Sequence, residues 1–380
     1  MKNGLHVNKR STKEWYLNGK LHREDGPAVE YFNGTKEWYI NGMRHREDGP
    51  AVEDGPADKY ARGDKEWWIN NKRHREDGPA VERTNGDREW WINGGKHRED
   101  GPAVEMADGP NRYMRRANGT KMWYRDGKLH REDGPAVERV DGYKFWYLNG
   151  LRHREDGPAH VDYRGTKFWY LNGKAHRKDG PAIERLDGTK RWFKNGKFHR
   201  EDGPAIEQRD GTKEWHLNGL PHREDGPSYV GANGDTIWHL NGLKHREDGP
   251  AVETARGRKE WHINGKLHRE DGPATIGIYG DQRWYRNDKL HREDGPAVEM
   301  VDGTKEWYIN GERHREDGPA IEDASGGKEW FLNNKELSKG EFLLAISKKT
   351  GMSDEDIDLM DQLGLFEGKI LDYRSFKKYI

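Results

Sequence analysis

The chain alternates short runs of strand-forming residues with turn residues, and this pattern recurs every 23 positions. One period, beginning at Ala28, reads AVEYFNGTKEWYINGMRHREDGP. Its apolar and aromatic runs are bounded by Asn33-Gly34 and Asn41-Gly42. Asn-Gly between β-prone runs is a strong hairpin signal because both residues tolerate a positive φ. Each period therefore predicts about two short strands, and the lack of a 3.6-residue periodicity argues against helices in this region.

A motif that begins with histidine marks each period, and twelve of its thirteen copies keep the letters HREDGP. The steps between motif histidines are 23 residues, with one step of 29 and one of 33. A Trp lies seven residues before each of them, and a fourteenth Trp follows the last motif. Fixed periods of 20 to 50 residues are typical of solenoids. The motif histidines are residues 22, 45, 74, 97, 130, 153, 176, 199, 222, 245, 268, 291 and 314.

Alternation along a strand assigns the aromatic residues to two faces. Trp38 and Ile40 are expected to form the core face, and Tyr39 the opposite face. The residue after the Trp is aromatic or His in all fourteen repeats, which indicates either cross-strand packing or an exposed platform for a partner. This aromatic row comprises Tyr16, Tyr39, Trp68, Trp91, Tyr124, Tyr147, Tyr170, Phe193, His216, His239, His262, Tyr285, Tyr308 and Phe331.

Composition changes this picture in one respect. With 36% charged and 31% hydrophobic residues and a mean hydropathy of -1.26, the chain has the overall polarity of a disordered protein. Its 16 Trp, 16 Tyr and 9 Phe contradict disorder, because these residues bury the largest apolar areas. The sequence therefore predicts a thin core that is rich in aromatic side chains.

Charge and cysteine content narrow the partners. Lys plus Arg total 67 against 68 for Asp plus Glu, so nucleic acid is not an expected partner. There is no cysteine, and no apolar run is long enough to span a membrane. The start MKNGLHVNKR has no apolar stretch typical of a signal peptide, so we expect a cytoplasmic protein.

The charged motif itself is predicted to be structural. Catalysis needs a few groups that converge in one pocket, whereas an array presents the same groups at every step. A zinc ion needs ligands at about 2 Å, while equivalent histidines should lie roughly 10 Å apart. We therefore expect no catalytic residues, no metal and no cofactor. Asp-Gly-Pro should form a rigid turn, and Arg and Glu should pair with the next repeat.

The string WYLNGKLHREDGPAVEYFNGTKEW resembles a MORN repeat, and more closely its bacterial variant. The resemblance covers roughly residues 1–335, but Arg-Glu-Asp-Gly-Pro stands where the usual repeat has a shorter Gly-x-Gly. It implies an elongated antiparallel β-sheet solenoid that binds or scaffolds and does not catalyse. The HREDGPA array also resembles arrays in uncharacterised proteins of tailed phages and their hosts.

The predicted fold is thus all-β, a solenoid of about fourteen 23-residue hairpin repeats over residues 1–335, with a helical segment over residues 336–380. Residues 1–14 look like a degenerate capping repeat. Ser338 and Glu341 predict a capping box, and Gly351 ends that helix. A second helix should start at Ser353 and a third should cover residues 373–380. This segment is either a cap or a docking and dimerisation element. It faintly resembles half an EF-hand, but Leu363 and Leu365 replace the calcium-binding Asp.

Two insertions interrupt the array, over about residues 54–59 and 106–115, both at the same hairpin position. Arg and aromatic side chains on protruding loops are typical recognition anchors, although drift in loop length is an equal explanation. The predicted partner-binding residues are Lys59, Tyr60, Arg62, Arg112, Tyr113, Arg115 and Arg116.

These observations favour a non-enzymatic protein that binds another protein. Its most concrete form is a phage or prophage protein that inhibits or sequesters a host protein, such as a defence component, in the host cytoplasm. One alternative is a membrane-surface or assembly scaffold, although a net charge of -1 supplies no overall basic stripe. Another is an antitoxin that neutralises a toxin.

Overall fold

The computed structural model describes residues 2–56, 62–107 and 119–362. The chain is mostly β, with antiparallel strands throughout the repeats and two short helices near the carboxyl end. Contacts divide it into two compact units, Met1–Lys197 and Phe198–Ile380. The division falls within the repeat array, and both units are built from the same repeat.

Each complete repeat contains four strand segments of two residues, where the sequence predicted about two short strands. In one repeat these are Val29–Glu30, Lys36–Glu37, Tyr39–Ile40 and Met43–Arg44. The first two kinds form the main sheet, and the last two form a separate small hairpin. Trp38 interrupts the predicted strand: its N–H donates to the Ala51 carbonyl at 2.8 Å, and its carbonyl accepts from the His45 N–H at 3.2 Å.

In the main sheet, first and second strands of the repeats alternate, and each pairs with the strand before it and the strand after it. In the first unit Lys36–Glu37 pairs with Val29–Glu30 before it and with Val52–Glu53 after it. The first strands of the repeats are Val29–Glu30, Val52–Glu53, Val81–Glu82, Val104–Glu105, Val137–Glu138, His160–Val161, Ile183–Glu184, Ile206–Glu207, Tyr229–Val230, Val252–Glu253, Thr275–Ile276, Val298–Glu299 and Ile321–Glu322. The second strands are Lys13–Leu17, Lys36–Glu37, Lys65–Glu66, Arg88–Glu89, Lys121–Met122, Lys144–Phe145, Lys167–Phe168, Lys190–Arg191, Lys213–Glu214, Thr236–Ile237, Lys259–Glu260, Gln282–Arg283, Lys305–Glu306 and Lys328–Leu332.

The small hairpins begin with the residue after the Trp. Their first strands are Tyr39–Ile40, Trp68–Ile69, Trp91–Ile92, Tyr124–Arg125, Tyr147–Leu148, Tyr170–Leu171, Phe193–Lys194, His216–Leu217, His239–Leu240, His262–Ile263, Tyr285–Arg286 and Tyr308–Ile309. Their second strands are Met43–Arg44, Lys72–Arg73, Gly95–Lys96, Lys128–Leu129, Leu151–Arg152, Lys174–Ala175, Lys197–Phe198, Leu220–Pro221, Leu243–Lys244, Lys266–Leu267, Lys289–Leu290 and Glu312–Arg313. At the two ends of the array, Lys20–Leu21 pairs with Lys13–Leu17 and Lys335–Leu337 pairs with Lys328–Leu332.

Two kinds of turn connect these strands, as the Asn-Gly pairs predicted. The hairpin turn joins the two strands of a small hairpin, and Asn41 and Gly42 there both have positive φ, at 51° and 81°. Two consecutive positive φ angles are typical of a tight two-residue turn. The tip turn joins the two main-sheet strands and is closed by the Tyr31 N–H bond to the Thr35 carbonyl at 2.9 Å. There only Gly34 is left-handed, at 84°.

The expectation of a Trp and Ile core is wrong. The most buried residues are the small ones that follow the motif proline, such as Ala51 at 0% exposure and Val81 at 0%. Trp169 is the one Trp that is buried among the described residues, and the others are half-buried. The Trp rings are instead covered by motif arginines, as Trp38 is by Arg46.

Both ends of the array are covered. At the amino end the strand Gly4–Val7 pairs antiparallel with Lys13–Leu17 and caps the edge of the sheet. At the carboxyl end helix α1 spans Lys339–Thr350, with the predicted capping box of Ser338 and Glu341 and a left-handed Gly351.

Helix α2 spans Asp354–Gln362 and follows the predicted start at Ser353, whose hydroxyl accepts the Asp356 N–H at 3.1 Å. The predicted third helix, and Leu363 and Leu365, lie outside the described residues. In the described part of the chain, neither helix has the length and apolar character that crossing a bilayer requires.

Candidate functional site

The arginine of the motif lies flat over the Trp of its own repeat. The Arg46 guanidinium is 4.1 Å from the Trp38 ring centroid, and equivalent pairs lie between 3.9 and 4.2 Å apart. Arg46 Nε donates to Asp48 at 2.8 Å, while Nη1 donates to the Pro50 carbonyl at 3.2 Å and to Glu53 at 3.0 Å. The guanidinium holds the pKa of the Asp48 carboxyl below its ordinary value. This arginine therefore holds its own repeat together and also pairs with Glu53 of the next repeat, as predicted for Arg.

The histidine of the motif links one repeat to the next. Nδ1 of His22 accepts the backbone N–H of Asn41 at 3.1 Å, and the neighbouring Gly42 N–H donates to the Leu21 carbonyl at 2.8 Å. Nδ1 also lies 3.2 Å from the Asn41 side-chain oxygen, and Nε2 of the same ring lies 3.5 Å from Glu24. The histidine thus accepts a hydrogen bond from the hairpin turn of the next repeat.

Motif Glu and Asp are the parts of the motif that face solvent. The side chains of Glu76 and Asp77 are 84% and 83% exposed, whereas Arg75 is 21% exposed. The predicted pairing of Glu with the next repeat is therefore wrong, since Glu76 lies 3.6 Å from Nε2 of His74 in its own motif. Consecutive motifs enclose a groove of about 830 Å³, with these carboxylates on both rims and Trp90 and Ile92 in its lining. We call this surface the motif groove.

The aromatic row is not an exposed platform, because each of its members is half-buried or buried. The Tyr39 hydroxyl donates to Glu37 at 2.8 Å and accepts from Arg44 Nε at 3.0 Å. Burial, followed by the bond to Glu37, raises the pKa of Tyr39 to about 12. Trp68 and Trp91 donate from Nε1 to Glu66 and Glu89 in the same way. The packing alternative of the sequence analysis is the one observed.

The middle of the second unit replaces the aromatic by His in three successive repeats. His216 and His262 keep the bond to the preceding Glu, at 3.2 and 3.0 Å. The bond from His262 lowers the pKa of Glu260 to about 2. His239 instead bonds Ser228, which is buried at 1% and replaces the usual motif Ala. Sequence reasoning missed this pair, although Ser228 is the only departure from Ala after a motif proline.

Described residues on either side of the two insertions make the bonds that close ordinary tip turns. Asp54 bonds the Asp64 carbonyl at 2.9 Å and Met106 bonds the Thr120 carbonyl at 3.0 Å, which are the pairings that close ordinary tip turns. Of the predicted partner-binding residues, Arg62 is described and exposed, and its carbonyl accepts from the Thr84 hydroxyl at 2.7 Å. Six lie outside the described residues: Lys59, Tyr60, Arg112, Tyr113, Arg115 and Arg116.

Ordinary tip turns carry an exposed apolar row that the sequence analysis did not single out. Val140, Tyr163 and Leu186 occupy the same tip-turn region in successive repeats and are 67%, 74% and 80% exposed. Some successive tip turns are also tied together, as where Asp87 accepts the Ala107 N–H at 2.8 Å. A signal was available in the sequence, because these large residues stand beside Asp-Gly or Arg-Gly, where a turn favours polar ones.

Within residues 2–56, 62–107 and 119–362, no group of three or more His, Asp or Glu side chains is arranged to hold a metal ion. The chain matches no family model, and it matches no curated protein.

Proposed function

We propose that this is a non-enzymatic binding protein that contacts another protein along its tip turns. The observation that carries the proposal is the row of Val140, Tyr163 and Leu186, which exposes large apolar side chains on consecutive repeats. Contiguous exposed apolar surface is typical of protein interaction sites. The insertions belong to the same kind of turn in the same unit, so added loop length and exposed apolar residues concentrate on one structural position.

The contacts of the motif support the non-enzymatic part of the proposal. Arg46 is held by Trp38, Asp48 and Glu53, and His22 is held by the next repeat. Side chains engaged in this way serve to build the repeat, and the same engagement recurs along the array. The resemblance of the HREDGPA array to phage proteins supports the more concrete form of the proposal, a host protein as the partner and the host cytoplasm as the location.

The tip-turn surface can be tested by substitution. We expect Val140→Ser, Tyr163→Ser and Leu186→Ser together to weaken partner binding tenfold or more, a loss of about 1.4 kcal/mol that is modest for three exposed apolar anchors. Replacing Arg112, Tyr113, Arg115 and Arg116 by Ala should have an effect of similar size. The partner is first captured by a photoreactive residue placed at 163, and affinity is then measured by calorimetry.

The matched control is Met43→Ser with Leu151→Ser, because both side chains are exposed on the hairpin turns of the same unit. It should leave affinity unchanged. Equal losses in the control and in the tip-turn variants would contradict the assignment of the surface, and unchanged binding in every variant would contradict the proposal that tip turns bind the partner.

A further inference from the structure

The motif groove has a recurring construction. In the first unit its rims are the motifs that contain Glu76 and Glu99, and its lining includes Trp90 and, two residues later, Ile92. A groove of about 510 Å³ in the second unit has the same parts, with Glu293 and Glu316 on the rims and Ile309 in the lining. Motif arginines also line both grooves, but they lie over Trp rings and bond carboxylates of their own, as Arg98 does with Trp90 and Asp100. The exposed carboxylates and the aliphatic floor residue therefore match a ligand that is apolar in the middle and cationic at its edge.

In the last repeat, the two helices of the chain itself cover the equivalent surface. Trp330 and Leu332 hold the two floor positions there, and they pack against the buried cluster of Phe342, Ile346, Met352 and Ile357 from the two helices. On the rim, Lys349 of α1 forms an ion pair with Glu316. Helix α1 thus places an apolar face on the floor and a lysine on the motif glutamate.

Docking of α1 changes the exposure of the rim. The Glu316 side chain is 44% exposed and that of Arg315 is 6% exposed, against 78% and 22% for Glu293 and Arg292 in the preceding motif. Helix α1 therefore covers the motif of the last repeat, whereas the preceding motif in the same unit is uncovered.

We propose that motif grooves with an aliphatic floor bind an amphipathic helix of a partner protein, with the apolar face on the Trp and aliphatic floor and a lysine on the motif glutamate before it. This surface is separate from the tip turns, and the inference does not depend on the proposed function. The partner helix is recognised by the features that α1 presents in the last repeat: two apolar residues four apart, as Phe342 and Ile346 are, and a lysine three residues further on.

Some repeats carry a cation in the floor, and these grooves are internal controls. Arg125 pairs with Glu132 at 3.2 Å, and Arg286 lies 4.0 Å from Glu293. The groove of about 850 Å³ that contains Arg286 has Glu270 on its first rim. A charged floor disfavours both the apolar face and the lysine of an incoming helix. Glu270 should therefore bind a helix lysine more weakly than Glu76, whose groove has Ile92 in its floor.

The probe is a capped synthetic peptide with the sequence of residues 338–351, added to the full-length protein. Binding is followed by fluorescence anisotropy, and a zero-length carbodiimide cross-linker with peptide mapping identifies the glutamates that a peptide lysine reaches. We expect saturable binding that weakens at least fivefold when both peptide lysines equivalent to Lys348 and Lys349 become Glu. Cross-links should form at Glu76 at least threefold more than at Glu270.

A protein variant completes the test. Ile92→Arg should reduce cross-linking at Glu76 to the level seen at Glu270, whereas the control Leu151→Arg, on an exposed hairpin turn, should not change it. The absence of saturable binding would overturn the proposal. Equal cross-linking at Glu76 and Glu270, or binding that is indifferent to the lysines of the peptide, would overturn it as well.

Discussion

At the scale of single residues, the motif glycine is explained by the arginine three positions before it. A Cβ atom at Gly157 would lie 2.8 Å from Cζ of Arg154, closer than van der Waals contact allows. That guanidinium is not free to move, since it lies 4.1 Å from the Trp146 ring centroid and bonds Asp156 at 2.8 Å. The glycine therefore makes room for an immobilised side chain, and its role is spatial.

We expect Gly157→Ala to lower the free energy of unfolding by about 1–2 kcal/mol, because the added methyl displaces Arg154 from its ring and its carboxylate. Urea denaturation monitored by Trp fluorescence measures the change. Gly340→Ala is the control: it adds the same methyl in α1, where nothing lies within 4 Å, and alanine favours a helix. A Gly157 variant as stable as the control would show that the guanidinium relocates at no cost.

At the scale of elements, the parts that could be predicted from the sequence are those set by residues close together in the chain. The Asn41-Gly42 turn and the Ser338 and Glu341 capping box each depend on residues a few positions apart. The strand break at Trp38 was missed because the N–H bond that causes it goes to Ala51, which lies in the next repeat period.

The candidate surfaces were missed for the same reason, because they depend on contacts that no local pattern records. The covering of Trp38 by Arg46 joins positions eight apart around a turn, and no strand periodicity registers such a pair. The sequence therefore assigned the Trp to the core. It predicted the pairing of the arginine with the next repeat, which Arg46 makes with Glu53, but not the position of the guanidinium over the ring. The docking of α1 on Trp330 and Leu332 was likewise invisible, because an amphipathic pattern identifies an apolar face without identifying what covers it.

The helical element gives a sharp prediction about its own stability. Phe342 is 0% exposed and packs with Ile346 and Met352. We expect Phe342→Ala to destabilise the two helices by about 3 kcal/mol through the cavity it leaves. Hydrogen exchange of the α1 amides measures this, and Leu344→Ala, at a half-exposed position of the same helix, is the control. Loss of protection throughout the first unit in the Phe342 variant would show that the cap supports more than its own end.

At the scale of the whole molecule, the same kinds of bond recur between successive repeats. In the first unit the main sheet pairs Glu37 with Val52, His22 accepts from Asn41, and Asp87 accepts from Ala107. Each of these bonds joins positions that keep their spacing in a 23-residue period. Stability should then approach a sum of repeat terms and nearest-neighbour terms, so that a repeat can be removed if the phase is kept.

Excision of residues 136–158 removes one period from the first unit and rejoins Pro135 to Ala159, which restores an ordinary motif. We expect this protein to unfold cooperatively, with a far-ultraviolet spectrum per residue close to that of the parent.

Excision of residues 137–158 is the control, because it removes one residue fewer and shifts the following strand by one position. A shift of one residue turns a strand over, so that the buried Ala and Val positions would face solvent. We expect the control to lose cooperativity or to melt at a clearly lower temperature. Equal stability of the two deletions would contradict the conclusion that contacts between repeats require a fixed 23-residue spacing, because one extra residue would then cost no stability.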